Sequence, residues 1–417
     1  MKLAVFHNVP AGGAKRALYC FTQELKRRGH AVDAYKTDAV SSDHFPLKEV
    51  SDHFFVYKFP PFNRVKNFRP YFLRSYVNFV HRAGYLNSVD THYQKMAKEI
   101  DDRGYDLIFV HNCNFSQAPI LLKHLKTKSV YYAHEPLRSI YEPYLEQIEY
   151  PLTTSMEKFK YSLIRPAHQM GKAHLKKIDR ENILSADFVF TNSYYTRESL
   201  YKAYGILATV CYPGVDVNVF RPLNVPRKNY VLAVGSVSPI KKHDFVIEAL
   251  SLMDQKIRPK FIIVGNMSPD DYVEKIKRMA AEKGVDLDIK LLISDNELLT
   301  LYNEARMVIY PPIMEPLGLV PLEAMACGTP VIGVKEGGIR ETIVDGKTGI
   351  LIERDPAACA EAIKKLLFDP ALGQKMGEAG RAYVVEKWSW EKCTDRLEEN
   401  FIKVLNGKLK NFSAPVP

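Results

Sequence analysis

The sequence predicts an α/β protein made of two doubly wound, Rossmann-like domains facing across a cleft. Three observations lead there. The chain has 417 residues, more than one ordinary core holds, so two domains of roughly 200 residues each are expected. Short apolar stretches alternate with amphipathic helical ones in two separate series, as in parallel sheets covered on both faces. Between the series stands "CYPGVDVNVFRPLNVPRKN", whose three prolines and one glycine mark a linker.

The first series fills a domain over residues 1–210. "KLAVFHN" is a strand, "AGGAKRALYCFTQELKRRG" a helix closed by Gly29, and "HAVDAYKT" the next strand. "DLIFVHN", "SVYYAHE" and "DFVFTNS" are later strands, each followed by a polar or proline-bearing turn. Residues 45–100, rich in Phe, Tyr, Arg and Pro, are expected to form an insertion of helices and loops.

The second series fills residues 216–387. Its strands are "NYVLAVGSV", "KFIIVGN", "IKLLI", "MVIYPP" and "PVIGV"; its helices include "KHDFVIEALSLM", "DDYVEKIKRMAAEKG", "DNELLTLYNEA" and "VPLEAMACG". "GGIRETIVDG" is a turn into another helix. A last amphipathic helix over 388–411 is expected to cross back to the first domain.

Composition narrows the class. Hydrophobic content of 46% and charged content of 25% are those of a soluble globular protein. No apolar run approaches the ~20 residues that span a bilayer. "MKLAVFHN" soon meets His7 and Asn8, so it reads as a first strand and not a signal peptide. The six cysteines form no CxxC pair, which implies reduced core thiols, a cytoplasmic protein and no metal site. The net charge of +10 is uneven: residues 1–215 hold 30 basic and 20 acidic residues, and the rest hold 28 of each. That basic face is either a solvated surface or a surface for anionic lipid or a phosphate-bearing acceptor. No nucleic-acid recognition motif accompanies it.

The chemistry concentrates in "YPPIMEPLGLVPLEAMACGTPVIGV", where Glu315 and Glu323 stand eight residues apart. A strand ends there, a loop with Gly318 follows, and Pro321 suits the first turn of a helix. Ligands of parallel sheets bind at the carboxyl ends of strands. A helix N-terminus in that place offers free amides, here of Leu319 and Val320, to a phosphate. A carboxylate on each side accepts hydrogen bonds from hydroxyls. Phosphate between two sets of hydroxyls describes a nucleotide sugar. Two surface charges, or a glycosidase carboxylate pair, are the competing readings; the apolar surroundings disfavour the first, and no third element supports the second.

The stretch resembles the E-x7-E signature of family 4 of the retaining GT-B glycosyltransferases, and the resemblance runs along the chain. "AGGAKRAL" resembles that family's N-terminal glycine loop, and "ELKRRGHAVDAY" its RGH turn. "ADFVFTNSYYTRESL" and "YPGVDVNVF" resemble further family segments, and 298–352 runs parallel to the C-terminal core. Only 45–100 and 140–180 lie outside clear similarity.

The resemblance implies roles. Glu323 would bind the ribose hydroxyls. Glu315 would lie against the donor hexose beside the amides of Leu317 and Gly318. Gly13 would approach the diphosphate, and Lys241 would balance its charge as it leaves. Ser236 stands where the family usually has arginine, so Lys242 or Arg16 would help Lys241. His134 resembles the active-site histidine that touches sugar or acceptor; a satisfied strand-end histidine is the plainer reading. Arg138 would meet an acceptor phosphate or form a surface ion pair. The base would lie near Gly265 and Leu292. Asn192, Ser193 and Tyr195 match positions near the cleft, although Asn192 and Ser193 also suit a helix cap.

The expected function is therefore transfer of a hexose, mannose from GDP-mannose first, to a hydroxyl of a saccharide or lipid-linked acceptor in polysaccharide assembly. UDP-glucose and UDP-N-acetylglucosamine are the alternative donors. Retention, no cofactor and no metal are implied by the resemblance. A silent nucleotide-sugar-binding scaffold is the rival of another class. A phosphorylase-like enzyme would need a lysine carrying pyridoxal phosphate, which no lysine's context supports. The aromatic stretch 54–85 in the basic half is either packing or a patch docking on the inner face of an anionic membrane.

Overall fold

The computed structural model describes residues 1–9, 12–39, 44–60, 71–149, 151–152, 154–265, 270–409 and 412–413. It divides into two compact units, Met1–Pro213 with Thr394–Pro417, and Gly214–Cys393. Pro10 and Ala11 of the glycine loop, residues 61–70 of the aromatic stretch, and 410–411 of the last expected helix lie outside the described residues.

The first unit is built on strands β1 (Lys2–Asn8), β2 (Ala31–Thr37), β3 (His53–Tyr57), β4 (Leu107–Cys113), β5 (Ser129–Ala133) and β6 (Phe188–Thr191). Two short strands follow, β7 (Ile206–Leu207) and β8 (Thr209–Val210). The sheet order is β3-β2-β1-β4-β5-β6-β8, parallel throughout. Leu3 to Phe6 and Leu107 to Val110 are fully buried, as central strands covered on both faces must be. The helices are α1 (Gly13–Arg27), α2 (Tyr71–Asp102), α3 (Arg138–Tyr141), α4 (Pro143–Glu149), α5 (Ser155–Leu184) and α6 (Tyr194–Tyr204). On α1 the residues Ala17, Leu18, Phe21 and Leu25 form the buried stripe.

Residues 45–100 are not an insertion. "HFFVY" is the edge strand β3, paired in parallel with β2, and α2 is the crossover helix that leads to β4. Leu86, Val89, Tyr93, Met96, Ala97 and Ile100 of α2 are buried in the main core. The described aromatics of 54–85 pack as well: Phe55 stacks on Tyr35 at 4.9 Å, Phe59 meets Tyr93 at 4.8 Å, and Tyr85 meets Phe115 at 4.8 Å. They do not form a surface patch.

The second unit alternates without interruption: β9 (Tyr230–Val234), α7 (His243–Ser251), β10 (Lys260–Gly265), α8 (Asp270–Glu282), β11 (Leu287–Leu291), α9 (Asp295–Glu304) and β12 (Met307–Tyr310). Then come α10 (Leu319–Ala326), β13 (Val331–Val334), α11 (Ile339–Thr342), β14 (Gly349–Ile352), α12 (Pro356–Phe368) and α13 (Pro370–Lys387). Its parallel sheet runs β11-β10-β9-β12-β13-β14.

Helix α14 (Trp390–Leu405) starts among the last residues of the second unit and ends in the first. There Phe401 packs on Phe109 at 5.1 Å, and Glu398 accepts from Arg28 at 2.8 Å. A last short strand, β15 (Phe412–Ser413), pairs antiparallel with β7. No described helix is long and apolar enough to cross a membrane.

Both sheets reverse their strand order once, between β1 and β4 and between β9 and β12. Chain segments leaving the carboxyl ends of those strands diverge there and open a crevice. Lys241 and Glu315 lie in the segments that follow two of those ends, β9 and β12.

Candidate active site

In the second unit, the loop between β12 and α10 carries Glu315, and the turn after β9 carries Lys241. Gly235 ends β9 at φ 146°, and the chain then folds into a single 3₁₀ turn, Pro239–Lys241. The Ile313 amide donates to the Ile240 carbonyl at 2.9 Å, which ties loop to turn. Lys241 Nζ donates to Glu315 Oε2 at 2.7 Å. Both side chains are about four-fifths shielded (20% and 18% exposed). An ion pair so shielded is screened little by salt. Lys242 instead pairs with Asp244 at 3.0 Å. Ser236 Oγ lies 3.2 Å from Ser238 Oγ, and the Ser236 carbonyl meets His243 Nε2 at 3.2 Å. Burial lowers His243 to about 4, so this imidazole is neutral.

Helix α10 begins at Gly318, φ 88°, with no side chain capping it. Its first amides, of Leu319 and Val320, therefore lack a side-chain acceptor, and the positive end of its dipole adds to Lys241. A Cβ on Gly318 would lie 2.9 Å from Tyr310 Cε1, so glycine is needed for packing as well as for φ. Leu317 is buried.

Glu323, one turn into α10, is only 3% exposed. Its Oε2 accepts from the Tyr302 hydroxyl at 2.7 Å. Tyr310 lies under the influence of both carboxylates: burial, then the charges of Glu315 and Glu323, push its pKa far up. Its hydroxyl is hydrogen-bonded to Glu315 and stays protonated. Tyr302 and Tyr310 were not singled out in the sequence, because tyrosines in apolar runs read as core.

The backbone around Glu315 is fixed from two further sides. The Gly338 amide donates to the Glu315 carbonyl at 2.8 Å. A Cβ at Gly337 would lie 2.4 Å from that carbonyl oxygen, and one at Gly338 2.2 Å from the Pro316 oxygen. The paired glycines of "KEGG" therefore serve close approach. Arg354 grips Glu336 with Nε and Nη2 at 2.7 and 2.6 Å, and donates to the Pro311 and Pro312 carbonyls at 2.7 and 3.0 Å. It thus pins the start of the Glu315 loop.

Gly265 and Leu292 are neighbours: the Leu292 amide donates to the Gly265 carbonyl at 3.0 Å. Leu292 is 79% exposed. A Cβ on Gly265 would meet the Gly235 oxygen at 2.7 Å, so the ends of β9 and β10 require glycine.

In the first unit, three histidines lie near the ends of adjacent strands: His7 on β1, His111 on β4 and His134 just after β5. His111 Nδ1 lies 3.1 Å from His134 Nε2. Burial lowers His134 to about 3. Burial and the charges of Lys15 and Lys36 lower His7 to about 3. Burial, then the charges of His134 and His7, push His111 well below its ordinary value. All three imidazoles are neutral, and His111 fixes one nitrogen of His134. The His134 carbonyl accepts from Asn192 Nδ2 at 2.9 Å. Ser193 caps α6 by accepting from the Thr196 amide at 2.9 Å.

Arg138 forms ion pairs with Glu142 at 2.7 Å and Glu135 at 3.4 Å. Gly13 is the first residue of α1, and the left-handed position is Gly12, at φ 156°. Arg16 lies over the Phe45 ring at 5.7 Å. No group of three or more His, Cys, Asp or Glu that could hold a metal occurs among the described residues.

Two family models match the chain: "Glycosyltransferase Family 4" over residues 11–219 and "Glycosyl transferases group 1" over 216–383. A D-inositol 3-phosphate glycosyltransferase of Streptomyces bingchenggensis is 28% identical over 60% of this chain and 63% of its own. A GDP-mannose-dependent phosphatidylinositol monomannoside mannosyltransferase of Mycolicibacterium smegmatis is 31% identical over 51% of this chain and 62% of its own. The chain thus spans a little over three-fifths of the length of these relatives. Among solved structures, HepE of Anabaena with UDP and glucose has the same fold, with a TM-score of 0.68 at 18% identity, covering 97% of this chain and 100% of that one.

Proposed function

The chain belongs to glycosyltransferase family 4 and has the GT-B fold, and from that premise we propose that it transfers a hexose from a nucleoside diphosphate sugar to a hydroxyl acceptor. The observation that carries the reading is the Lys241–Glu315 pair, 2.7 Å apart, in the unit whose helix α10 has an uncapped N-terminus. A departing diphosphate gathers negative charge, and Lys241 with the Leu319 and Val320 amides supplies preorganised positive charge for it. Glu315 holds Lys241 while the site is empty and turns to the hexose hydroxyls when the donor arrives. Glu323, backed by Tyr302, takes the ribose hydroxyls.

Transfer proceeds with retention and without a metal or other cofactor. The leaving phosphate accepts the acceptor's proton as the new glycosidic bond forms on the face from which it departs. No protein nucleophile is needed. His134, neutral and oriented by His111, hydrogen-bonds the sugar or acceptor near the reacting carbon and does not act as a charged acid.

GDP-mannose is the first donor, in line with the mannosyltransferase relative named for it. A second reading, UDP-glucose, is favoured by the UDP and glucose bound in HepE. A thermal-shift screen against GDP, UDP, ADP and dTDP tests the choice, because a ligand that binds the native state raises the melting temperature by mass action. GDP is expected to give the largest shift. A larger shift with UDP moves the assignment to the second donor, and no shift with any of them removes the reading.

A further inference from the structure

The second unit holds a cavity of about 570 Å³ at the amino ends of β12 and β13. Arg306, the residue before β12, and Pro330, the residue before β13, both line it. Lys241 and Glu315 follow the carboxyl ends of β9 and β12, so the cavity lies at the other ends of the sheet from the candidate donor site. Helix α10 spans the two. Its first amides belong to that site, and Cys327 and Gly328, just past its last turn, line the cavity. The volume suits a small molecule, since such sites run to about 300–1,000 Å³.

Charge says what chemistry fits. The described lining residues include three guanidiniums, of Arg227, Arg306 and Arg381, and one carboxylate, of Glu378. None of the three arginines has an ion-pair partner among the described residues. Arg227 donates to the Gly328 carbonyl at 2.7 Å and to Thr329 Oγ1 at 2.6 Å. Arg381 Nη1 donates to the Ala326 carbonyl at 2.9 Å. These neutral acceptors hold both side chains in place and supply no counter-charge. Burial lowers the pKa of Arg227, and the charge of Arg306 lowers it further.

Arg306 carries the argument. Its side chain makes no hydrogen bond and no ion pair among the described residues, and its Nε is buried without an acceptor. A buried N–H without an acceptor is costly, and a bound anion supplies one. Three positive charges against one negative leave two, which a phosphate monoester at about −1.5 to −2 balances. Guanidinium forks match the phosphate oxygens. Gln374 and Glu378 are exposed, at the rim of the cavity. Gln374 Nε2 donates to Glu378 Oε1 at 2.9 Å, which leaves the second carboxylate oxygen and the amide oxygen to accept from hydroxyls.

We propose that this cavity is a second ligand site, for a small sugar phosphate, with the phosphate on Arg306 and the hydroxyls at Gln374 and Glu378. The site belongs to the second unit alone and does not depend on which donor the protein uses.

The test is calorimetry of the full chain with glucose 6-phosphate, glucose and inorganic phosphate as probes, with no nucleotide present. Glucose 6-phosphate should bind more tightly than either of the others. Arg306→Gln removes the cation and keeps the fold, because the guanidinium bonds to nothing that holds the structure. It should weaken glucose 6-phosphate binding at least ~10-fold, the scale of a lost charged hydrogen bond. Gly373→Leu fills the cavity from α13 without touching an arginine, since a Cβ there meets only Pro330 Cγ, at 3.9 Å. It should weaken binding as much. Lys241→Ala should bind glucose 6-phosphate as the parent does. Loss of binding in Lys241→Ala would place the probe in the donor site and overturn the proposal. So would parent-like binding in Arg306→Gln or Gly373→Leu, glucose or inorganic phosphate binding as tightly as glucose 6-phosphate, or no binding by the parent.

Discussion

Lys241 and Glu315, separated by 73 intervening positions of sequence, meet at 2.7 Å in the segments that follow β9 and β12. The pair holds the main cation proposed for the diphosphate in place before a donor binds. Lys241→Ala should therefore cut turnover at least ~100-fold, the usual scale for losing a preorganised charge at a developing anion. Ser236, in place of the arginine expected there, leaves few cations to share the task. Adding Ser236→Arg to the alanine variant should restore part of the rate. Steady-state kinetics check this, and near-normal turnover in Lys241→Ala would reject the role.

Glu323→Ala should weaken nucleotide binding by about 1.5–3 kcal/mol, the range for hydrogen bonds to a charged group. Tyr302→Phe should weaken it less, because it removes only one donor from the Glu323 carboxylate and leaves the oxygen in place. Calorimetry with the matching nucleoside diphosphate measures both. An unchanged dissociation constant in folded Glu323→Ala would remove Glu323 from the site.

Arg354 holds Glu336 and two proline carbonyls with one planar guanidinium, a geometry lysine cannot reproduce. Arg354→Lys should keep the fold but loosen the loop that carries Glu315. Displacement on the 1 Å scale costs up to about 100-fold in rate, so kcat should fall while nucleotide affinity, set by Glu323, changes little. Equal losses in both would show that Arg354 supports the whole unit and not the loop.

Much of this site was legible in the sequence, and the reasons are particular. Glu315, Gly318, Leu319 and Glu323 share one loop and one helix start, so spacing alone relates them. Arg354 and Tyr310 were not legible, because their roles depend on contacts that only the folded sheet creates. The strand β3 was missed because "HFFVY" lies beside a run of aromatic, proline and arginine residues and is only half buried. The excess positive charge of the first half is visible in the sequence, and of the two readings of 54–85 the described aromatics Phe55, Phe59 and Tyr85 follow packing.

Stability should depend on pH through two opposed sets of groups. His7, His134 and His243 have folded pKa values of about 3, 3 and 4, below the ordinary value of 6.5. The unfolded chain takes up those protons first, so their contribution is full above pH 6.5 and is lost as pH falls through that window. Burial raises Asp179 to about 7 from 3.8. Its contribution is full below 3.8 and is lost as pH rises towards 7. Each unit of pKa difference is worth about 1.4 kcal/mol. Asp179→Asn should therefore gain stability relative to the parent on going from pH 5 to pH 8. Denaturant melts at the two pH values test this, and a constant difference would show that Asp179 titrates normally.

The central claim, that the protein moves a hexose off a nucleotide sugar, is tested most directly by product analysis. GDP-mannose, UDP-glucose and UDP-N-acetylglucosamine are each incubated with the full chain and with Lys241→Ala. Nucleoside diphosphate release is followed, and the anomeric configuration of the released or transferred sugar is read by proton NMR. One donor is expected to be turned over with its configuration retained, even if only to water, and Lys241→Ala should lose that turnover. Tight nucleotide binding with no release from any donor would contradict the account and leave a binding scaffold in its place.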